Sequence, residues 1–453
     1  MNNLTLIQMD YAQDQVPLAA AYLGGALNKE HIQFDLKLYP VYKNKENPSI
    51  LSNFYAFLTK TKKIVAIGCW SDMLPYVIVA LGRLKKRYPE KIIILGGIGP
   101  TIAAEEILNK FSFIDFIIRG CGVKPLPKLV KKIFNQSNVL YDDIERLVFR
   151  RNNIVISNPY GGYYLNVPDS PAYDLLGNPQ KFFSFPVITS FGCPYQCTYC
   201  DTRPVSPKSV VFRPLNDVIH EIKSMIKIKH PQKLIVDILD EAFTIDKKRV
   251  FQFCNILKKE KLDISWICFG RVDTVDEDLL KVMAQFGCFN IFYGIESGSN
   301  RILKKIKKGF TIELAIEKLF LSKKYIKYVD AAFIFGFPFE TEKDFRKTLV
   351  IRNALLQEGF RVPLFPLAPV KNTPLYMKYK KILKFSPRMR ISYNLEIRHN
   401  EVNKVIKENP EIFASFYHYE FKQLKKIIHL YYKIRNRTFS VAPSVRDFLN
   451  QLS

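Results

Sequence analysis

Three cysteines fall within eight residues, Cys193, Cys197 and Cys200, in the stretch Ser190-Phe-Gly-Cys-Pro-Tyr-Gln-Cys-Thr-Tyr-Cys-Asp201. An iron–sulfur cube is normally held by four thiolates. This C-x3-C-x2-C run supplies three, with no fourth cysteine nearby. One iron would then stay open to a substrate or cosubstrate, and the short spacings let one loop present all three sulfurs at little loop-closure cost. A structural zinc knuckle is the alternative, but it needs four protein ligands, and no Cys or His occurs between Asp201 and Ile219.

The elements that must position these thiols follow from hydrophobic pattern. Phe185-Pro-Val-Ile-Thr-Ser190 reads as a short buried strand. The cysteines then lie on the loop at its C-terminal end, where barrel-type α/β enzymes gather their chemistry. Further candidate strands, each followed by a helical pattern, start at Leu234, Ser265, Asn290, Asp330 and Arg361. With the first they predict a partial (β/α)6 barrel over residues 185–380. Residues 1–140 alternate in the same way, with strands from Leu4, Gln33, Ile64, Ile92 and Phe116. That order predicts a Rossmann-like parallel sheet with right-handed crossovers. Residues 141–184 read as a linker with a hairpin over Arg146 to Ser157, and residues 381–453 as a helical C-terminal region with a helix over Phe416 to Asn436.

In these residues the chain resembles the radical S-adenosylmethionine (SAM) enzymes, whose cysteine run carries an aromatic residue before its last cysteine, here Tyr199. The stretches Asp237–Asp246, Gly270–Asp273, Gly294–Gly298, Lys308–Thr311, Gly336–Thr341 and Pro369–Tyr376 look like the subgroup that carries an N-terminal cobalamin-binding-type domain. The resemblance implies a [4Fe–4S] cluster on Cys193, Cys197 and Cys200, with SAM on the open iron as the source of a 5′-deoxyadenosyl radical. An electron donor such as flavodoxin or ferredoxin is implied too. Within the matching motifs, position at strand ends suits Asp240 and Glu241 to the ammonium of SAM, Arg271 to its carboxylate, and Glu296 to a ribose hydroxyl or the methionine portion. A carboxylate at a strand end also commonly caps the next helix, which is the role expected of Glu340.

Ligands of parallel sheets bind beyond the carboxyl ends of the strands. In the N-terminal domain those ends carry Cys69, Trp70, Ser71 and Asp72, then Gly96 and Gly97, then Gly120. The resemblance makes them candidates for cobalamin. The D-x-H-x-x-G motif is absent and His31 is the only histidine before His220, so cobalt would bind without a protein histidine. A Rossmann-like domain that has lost the cofactor is the alternative. The reaction implied is cobalamin-dependent methylation of an unactivated carbon. The alternatives are a cobalamin-independent cyclisation, rearrangement or oxidation, and a cluster-bearing sensor or scaffold without turnover. A methylthiotransferase is disfavoured, because residues 1–192 offer only Cys69 and Cys121.

The 453 residues suit two or three domains, and 48% apolar residues is a globular value. No apolar run reaches the roughly 18 residues of a membrane span, and the start Met1-Asn-Asn-Leu-Thr-Leu-Ile lacks a basic leader, so a cytoplasmic protein is expected. The cysteines outside the triplet, Cys69, Cys121, Cys254, Cys268 and Cys288, are scattered singly, which predicts buried thiols rather than disulfides. A net charge of +26 is spread through the chain. It reads as solvated helix faces, with contact to an anionic surface as the alternative. The substrate expected is a small molecule, a lipid or a peptide.

Overall fold

Apolar runs bounded by glycine define the first half of the molecule. The computed structural model describes residues 3–10, 16–44, 47–135, 140–160, 171–230, 232–385 and 399–435. These fall into two compact units, one within residues 1–183 and 385–417, the other within residues 184–384 and 418–453.

In the first unit, β1 (Leu4–Asp10), β2 (Phe34–Pro40), β3 (Ile64–Gly68), β4 (Ile92–Gly96) and β5 (Phe116–Ile118) form a parallel sheet in the order β2-β1-β3-β4-β5. The strands β3 and β4 read Ile-Val-Ala-Ile and Ile-Ile-Ile-Leu because helices cover both faces of such a sheet. One of those helices, Leu74–Arg87, opens with Pro75 in its first turn and ends in Lys85, Lys86 and Arg87, which suit its dipole. The hairpin read as a linker instead extends this sheet: β6 (Leu147–Arg151) and β7 (Ile154–Ser157) add to the β5 edge as antiparallel strands. The turn is made by Asn152 and Asn153, both left-handed at φ 50° and 63°, as a tight two-residue hairpin requires.

The second unit is built on a curled, all-parallel six-stranded sheet in the order β15-β14-β13-β12-β11-β8. Its strands are β8 (Phe185–Val187), β11 (Leu234–Ile238), β12 (Ile264–Gly270), β13 (Cys288–Glu296), β14 (Tyr328–Phe335) and β15 (Leu364–Pro366). Two short strands, β9 (Ser190–Phe191) and β10 (Val211–Phe212), pair antiparallel and enclose the cysteine run. Residues alternate along the sheet. Val236, Trp266, Cys268, Ile291, Tyr293 and Phe333 are fully buried or nearly so. The intervening Asp237, Ile267, Phe269 and Phe292 are partly exposed. Phe243, Phe253 and Trp266 meet edge to face at 5.5–5.8 Å beneath the buried face. Helices over Lys247–Lys259, Glu277–Gln285, Ile312–Tyr325 and Glu342–Gln357 start at Asp246, Asp276, Thr311 and Thr341, whose side chains accept a hydrogen bond from the first turn.

The C-terminal region is less uniformly helical than its pattern predicts. A helix over Asn400–Glu408 packs on the Leu74–Arg87 helix of the first unit, with Glu401 paired to Arg83. The segment expected to be helical from Phe416 instead holds an extended stretch, Tyr417–Tyr419, and its helix is Leu424–Arg435. In the second unit Ile427 and Tyr431 pack on Phe335, Phe345 and Leu349. Residues 386–398 and 436–453 of the expected helical region lie outside the described residues. Among the described residues no helix is long and apolar enough to cross a membrane.

Candidate active site

The cysteine run is held on three sides by main chain. At its entry, Gly192 sits at φ 92°, and a β-carbon there would meet Ser209 O at 2.3 Å and Pro207 O at 2.8 Å. Only glycine lets the returning chain before β10 pass that close. The Cys193 amide donates to Pro207 O at 3.3 Å, and the Thr198 amide to Ile306 O at 3.0 Å. The Leu375 amide donates to Thr198 O at 2.9 Å. The Cys197 thiol lies 3.8 Å from Lys307 O, and the Cys200 sulfur 3.1 Å from the Thr202 hydroxyl. Cys197 is buried, and Cys193 and Cys200 are partly so. Burial pushes the Cys200 thiol up to about 11, and it raises Cys193 as well. Among the described residues no three His, Cys, Asp or Glu side chains converge on a point that could hold a single metal ion. A cube takes each thiolate on a different corner iron, so its sulfurs stand apart. The three soft donors on one loop therefore fit a cluster's donor set.

Below the cysteines, the residues expected to touch SAM divide into two kinds. Asp240 faces the strand that leads into the cysteines. Its carboxylate is 1% exposed and accepts from the Thr189 amide, the Thr189 hydroxyl and the Ser190 hydroxyl, each at 2.6 Å. It braces the strand that leads into the cysteines. Burial raises its pKa despite those bonds. Glu241 braces the same loop further on, accepting from the Gly192 amide at 3.1 Å and the Ser206 hydroxyl at 2.7 Å. Arg213 and Arg249, which the sequence did not single out, add to the frame by donating to Ile188 O, Thr189 O and Arg213 O. Arg213 is itself ion-paired to Glu221 at 2.8 Å, both side chains being 4% exposed.

Arg271 and Glu296 remain beside the cysteines. Arg271 spends three of its five donors on Asp273 and Lys308 O, and its guanidinium lies 3.5 Å from the centroid of Tyr195. Glu296 ends β13 in the left-handed region, at φ 74°, where the register with β14 slips. A non-glycine residue held there costs on the order of 1–3 kcal/mol, and such strain gathers at functional sites. Its carboxylate folds back over Gly294, where a β-carbon would meet it at 2.3 Å, and pairs with Lys308 Nζ at 2.9 Å. Both partners are 7% exposed. Burial and the neighbouring Glu296 carboxylate drive the Tyr199 phenol well above its usual range. Tyr199 also meets Phe337 edge to face at 5.7 Å.

Glu340 does not cap the helix that follows it. That cap is Thr341, in a reciprocal box with Asp344. Glu340 instead turns inward, accepts from the Gly336 amide at 2.6 Å, and is 1% exposed with no hydrogen-bond partner on Oε1. Burial pushes its pKa up to about 8. Lys308 was visible only as part of a motif, and its partner Glu296 lies 12 residues upstream. Nothing local signals that pair.

In the first unit, the turns after β3 and β4 are joined. The Cys69 amide donates to Gly96 O and the Gly99 amide to Cys69 O, at 3.1 and 3.2 Å. A β-carbon on Gly97, at φ 89°, would meet Cys69 O at 2.7 Å. Trp70 and Ile98 stand out from this edge, 41% and 36% exposed. Asp72 Oδ1 accepts from the Met73 amide at 2.8 Å, and Ser71 is partly exposed. Gly120, at φ 64°, is needed because a β-carbon would strike the Tyr160 hydroxyl at 2.4 Å. Its amide donates to the Thr101 hydroxyl at 2.8 Å. Cys69, Cys254, Cys268 and Cys288 are buried as expected, whereas Cys121, in the turn after Gly120, is exposed.

Comparison with known proteins agrees with this arrangement. Residues 187–350 match the model of the radical SAM superfamily. The chain is 28% identical over 418 residues to an uncharacterised methyltransferase of Pyrococcus horikoshii, covering 88% of this chain and 87% of that one. Its fold is similar to that of the radical SAM methyltransferase TsrM from Kitasatospora setae, solved with cobalamin and a [4Fe–4S] cluster bound. There the TM-score is 0.70 at 15% identity, over 100% of this chain and 95% of that one. It is also similar to OxsB, a cobalamin-dependent SAM radical enzyme, with a TM-score of 0.67 at 17% identity over 95% of this chain and 66% of that one. The parallel half-barrel with three cysteines on its first loop is thus a radical SAM domain, and the chain belongs to the radical SAM superfamily, with an N-terminal domain of the cobalamin-binding type of fold.

Proposed function

We propose that this protein is a cobalamin-dependent radical SAM methyltransferase acting on an unactivated carbon. The observation that carries the reading is the cysteine loop itself. Three thiols leave the C-terminal end of β8 on one segment, framed by the buried Asp240 and the partly buried Glu241 and gripped by the Ile306–Lys308 main chain. Cys193, Cys197 and Cys200 would hold the [4Fe–4S] cluster. A cluster held there would supply the one-electron chemistry, with an electron taken from an external donor, that cleaves SAM to methionine and a 5′-deoxyadenosyl radical. Glu296 and Lys308 form the polar wall beside that corner, with the Tyr199 hydroxyl kept protonated. Glu241 and Arg271 would act on SAM through the loop that they hold. Phe337 and Phe339, stacked 6.0 Å apart, help exclude water from a site whose product is a radical.

For the first unit, the joined turns at Cys69–Asp72 and Gly96–Gly99, with Trp70 and Ile98 facing outward, offer a flat apolar edge suited to a corrin ring. Cobalamin, when bound, supplies the methyl group for transfer. His31 follows a helix and precedes β2, so it lies at the edge opposite the strand ends. His399 packs edge-on against Tyr76. Neither favours a histidine bond to cobalt. The names of the Pyrococcus horikoshii relative and of TsrM support methyl transfer as the reaction class. The test is anaerobic purification with hydroxocobalamin, followed by a visible spectrum, counts of iron and cobalt, and electron paramagnetic resonance of the cob(II)alamin form. The reading expects retained corrinoid without nitrogen superhyperfine splitting. Loss of all corrinoid on gel filtration would move the function to a cobalamin-independent radical reaction.

A further inference from the structure

We propose that Arg271 is a positioning residue that clamps the segment between Cys193 and Cys197, and that its fixed charge tunes the group those thiols hold. The clamp stands on geometry alone. Only its electrostatic part rests on the cluster reading above.

Tyr195 lies midway between the first two cysteines, and its ring is partly buried. The Arg271 guanidinium is stacked on it, with the central carbon 3.5 Å from the ring centroid. Arg271 is not free to follow the loop. Nε and Nη2 donate to Asp273 at 3.0 and 2.8 Å, Nη2 also donates to Lys308 O at 2.6 Å, and the residue is 7% exposed. Lys308 belongs to the segment that grips the run on its far side, through the Thr198 amide to Ile306 O and the Cys197 thiol to Lys307 O. Lys307, at φ 56°, and Gly309, at φ 89°, give that segment its shape. One guanidinium thus joins the loop's midpoint to the segment that fixes its second cysteine. Tyr195 is two residues from Cys193 and two from Cys197, so the charge stacked on its ring is fixed beside both. A cation so placed raises the reduction potential of a cluster, which depends on local charge. Lysine cannot reproduce the arrangement, because stacking and the forked contact with Asp273 both need a planar group.

The experiment uses the full chain in four variants, R271Q, R271K, Y195L and Y195F, each checked for fold by circular dichroism. In the anaerobic iron-free protein, R271Q and Y195L should expose Cys193 to alkylation about tenfold faster than wild type, the scale of a lost buried cation–π contact. Y195F keeps the ring and should react at the wild-type rate. In the reconstituted protein, R271Q should shift the cluster's midpoint potential to more negative values. R271K should return it toward wild type while its Cys193 stays fast to alkylate. Wild-type alkylation in both R271Q and Y195L overturns the clamp, and an unchanged potential in R271Q overturns the electrostatic part. If R271Q fails to fold, Y195L, with its partly exposed side chain, decides the clamp. Should wild type take up no iron, the cluster reading falls while the alkylation rates still judge Arg271.

Discussion

Replacing Asp240 separates a brace from a ligand. In Asp240→Ala the Thr189 amide and two hydroxyls lose an acceptor at 2.6 Å in a position 1% exposed. The amide is fixed by its strand and stays unsatisfied, at about 1–3 kcal/mol, while the hydroxyls can turn and lose about 0.5–1.5 kcal/mol each. Relief of burying the carboxylate offsets part of this, since burial alone raises its pKa. The net is a loss of about 3 kcal/mol, or a melting point lower by about 6–12 °C for a unit of this size. Asp240→Asn keeps shape and an acceptor oxygen for the amide, so its loss should be about 1 kcal/mol. Differential scanning calorimetry and iron content after reconstitution read both effects, because a loosened Thr189–Ser190 segment carries the cysteines. A D240A protein that melts within about 2 °C of wild type and keeps its iron, yet binds SAM weakly, would refute the brace and restore the role in SAM binding read from the sequence.

Three further outcomes follow from the site. Glu340 has its pKa raised from 4.5 to about 8, so the folded state binds the extra proton and wild type should lose stability as pH rises from about 4.5 to about 8. Melting temperatures of Glu340→Gln should match wild type near pH 5 and exceed it near pH 8; parallel curves would contradict the burial of that carboxyl. The pair Lys308 and Glu296 is 7% exposed on both sides, so Lys308→Met should cost about 3–5 kcal/mol. Lys308→Met with Glu296→Leu should recover part of that in urea titrations, and additive losses would deny the pairing. Gly192→Ala should impair folding of the cysteine loop, because its β-carbon would meet Ser209 O at 2.3 Å; wild-type iron uptake in that variant would be the contrary result.

Much of the fold was legible because its signals are local. Apolar runs, ended by glycine in β3, β4, β12 and β14, located these strands and β1 to within a few residues. The helices Ile50–Thr59 and Pro125–Asn135 were not legible, since one follows Pro48 in a polar stretch and the other opens with Pro125 and Pro127. The hairpin Leu147–Ser157 was seen, but not its place at the β5 edge, because pairing with Phe116 is a long-range choice that no local pattern encodes. The three cysteines stood out by spacing alone. The roles of Asp240, Glu340 and Lys308 did not, because each is set by which backbone the fold brings to it. Asp240 meets residues about 50 positions earlier in the chain, and a carboxylate at a strand end looks the same whether it binds a ligand or a neighbouring loop.

The central claim is that Cys193, Cys197 and Cys200 hold a cube that cleaves SAM. The direct measurement is iron per chain, with 5′-deoxyadenosine formed under a strong reductant, in anaerobically reconstituted wild type and Cys197→Ala. The account predicts about four irons per chain and 5′-deoxyadenosine from wild type, with both lost in C197A. Bound zinc in place of iron, or iron content unchanged by C197A, would contradict it.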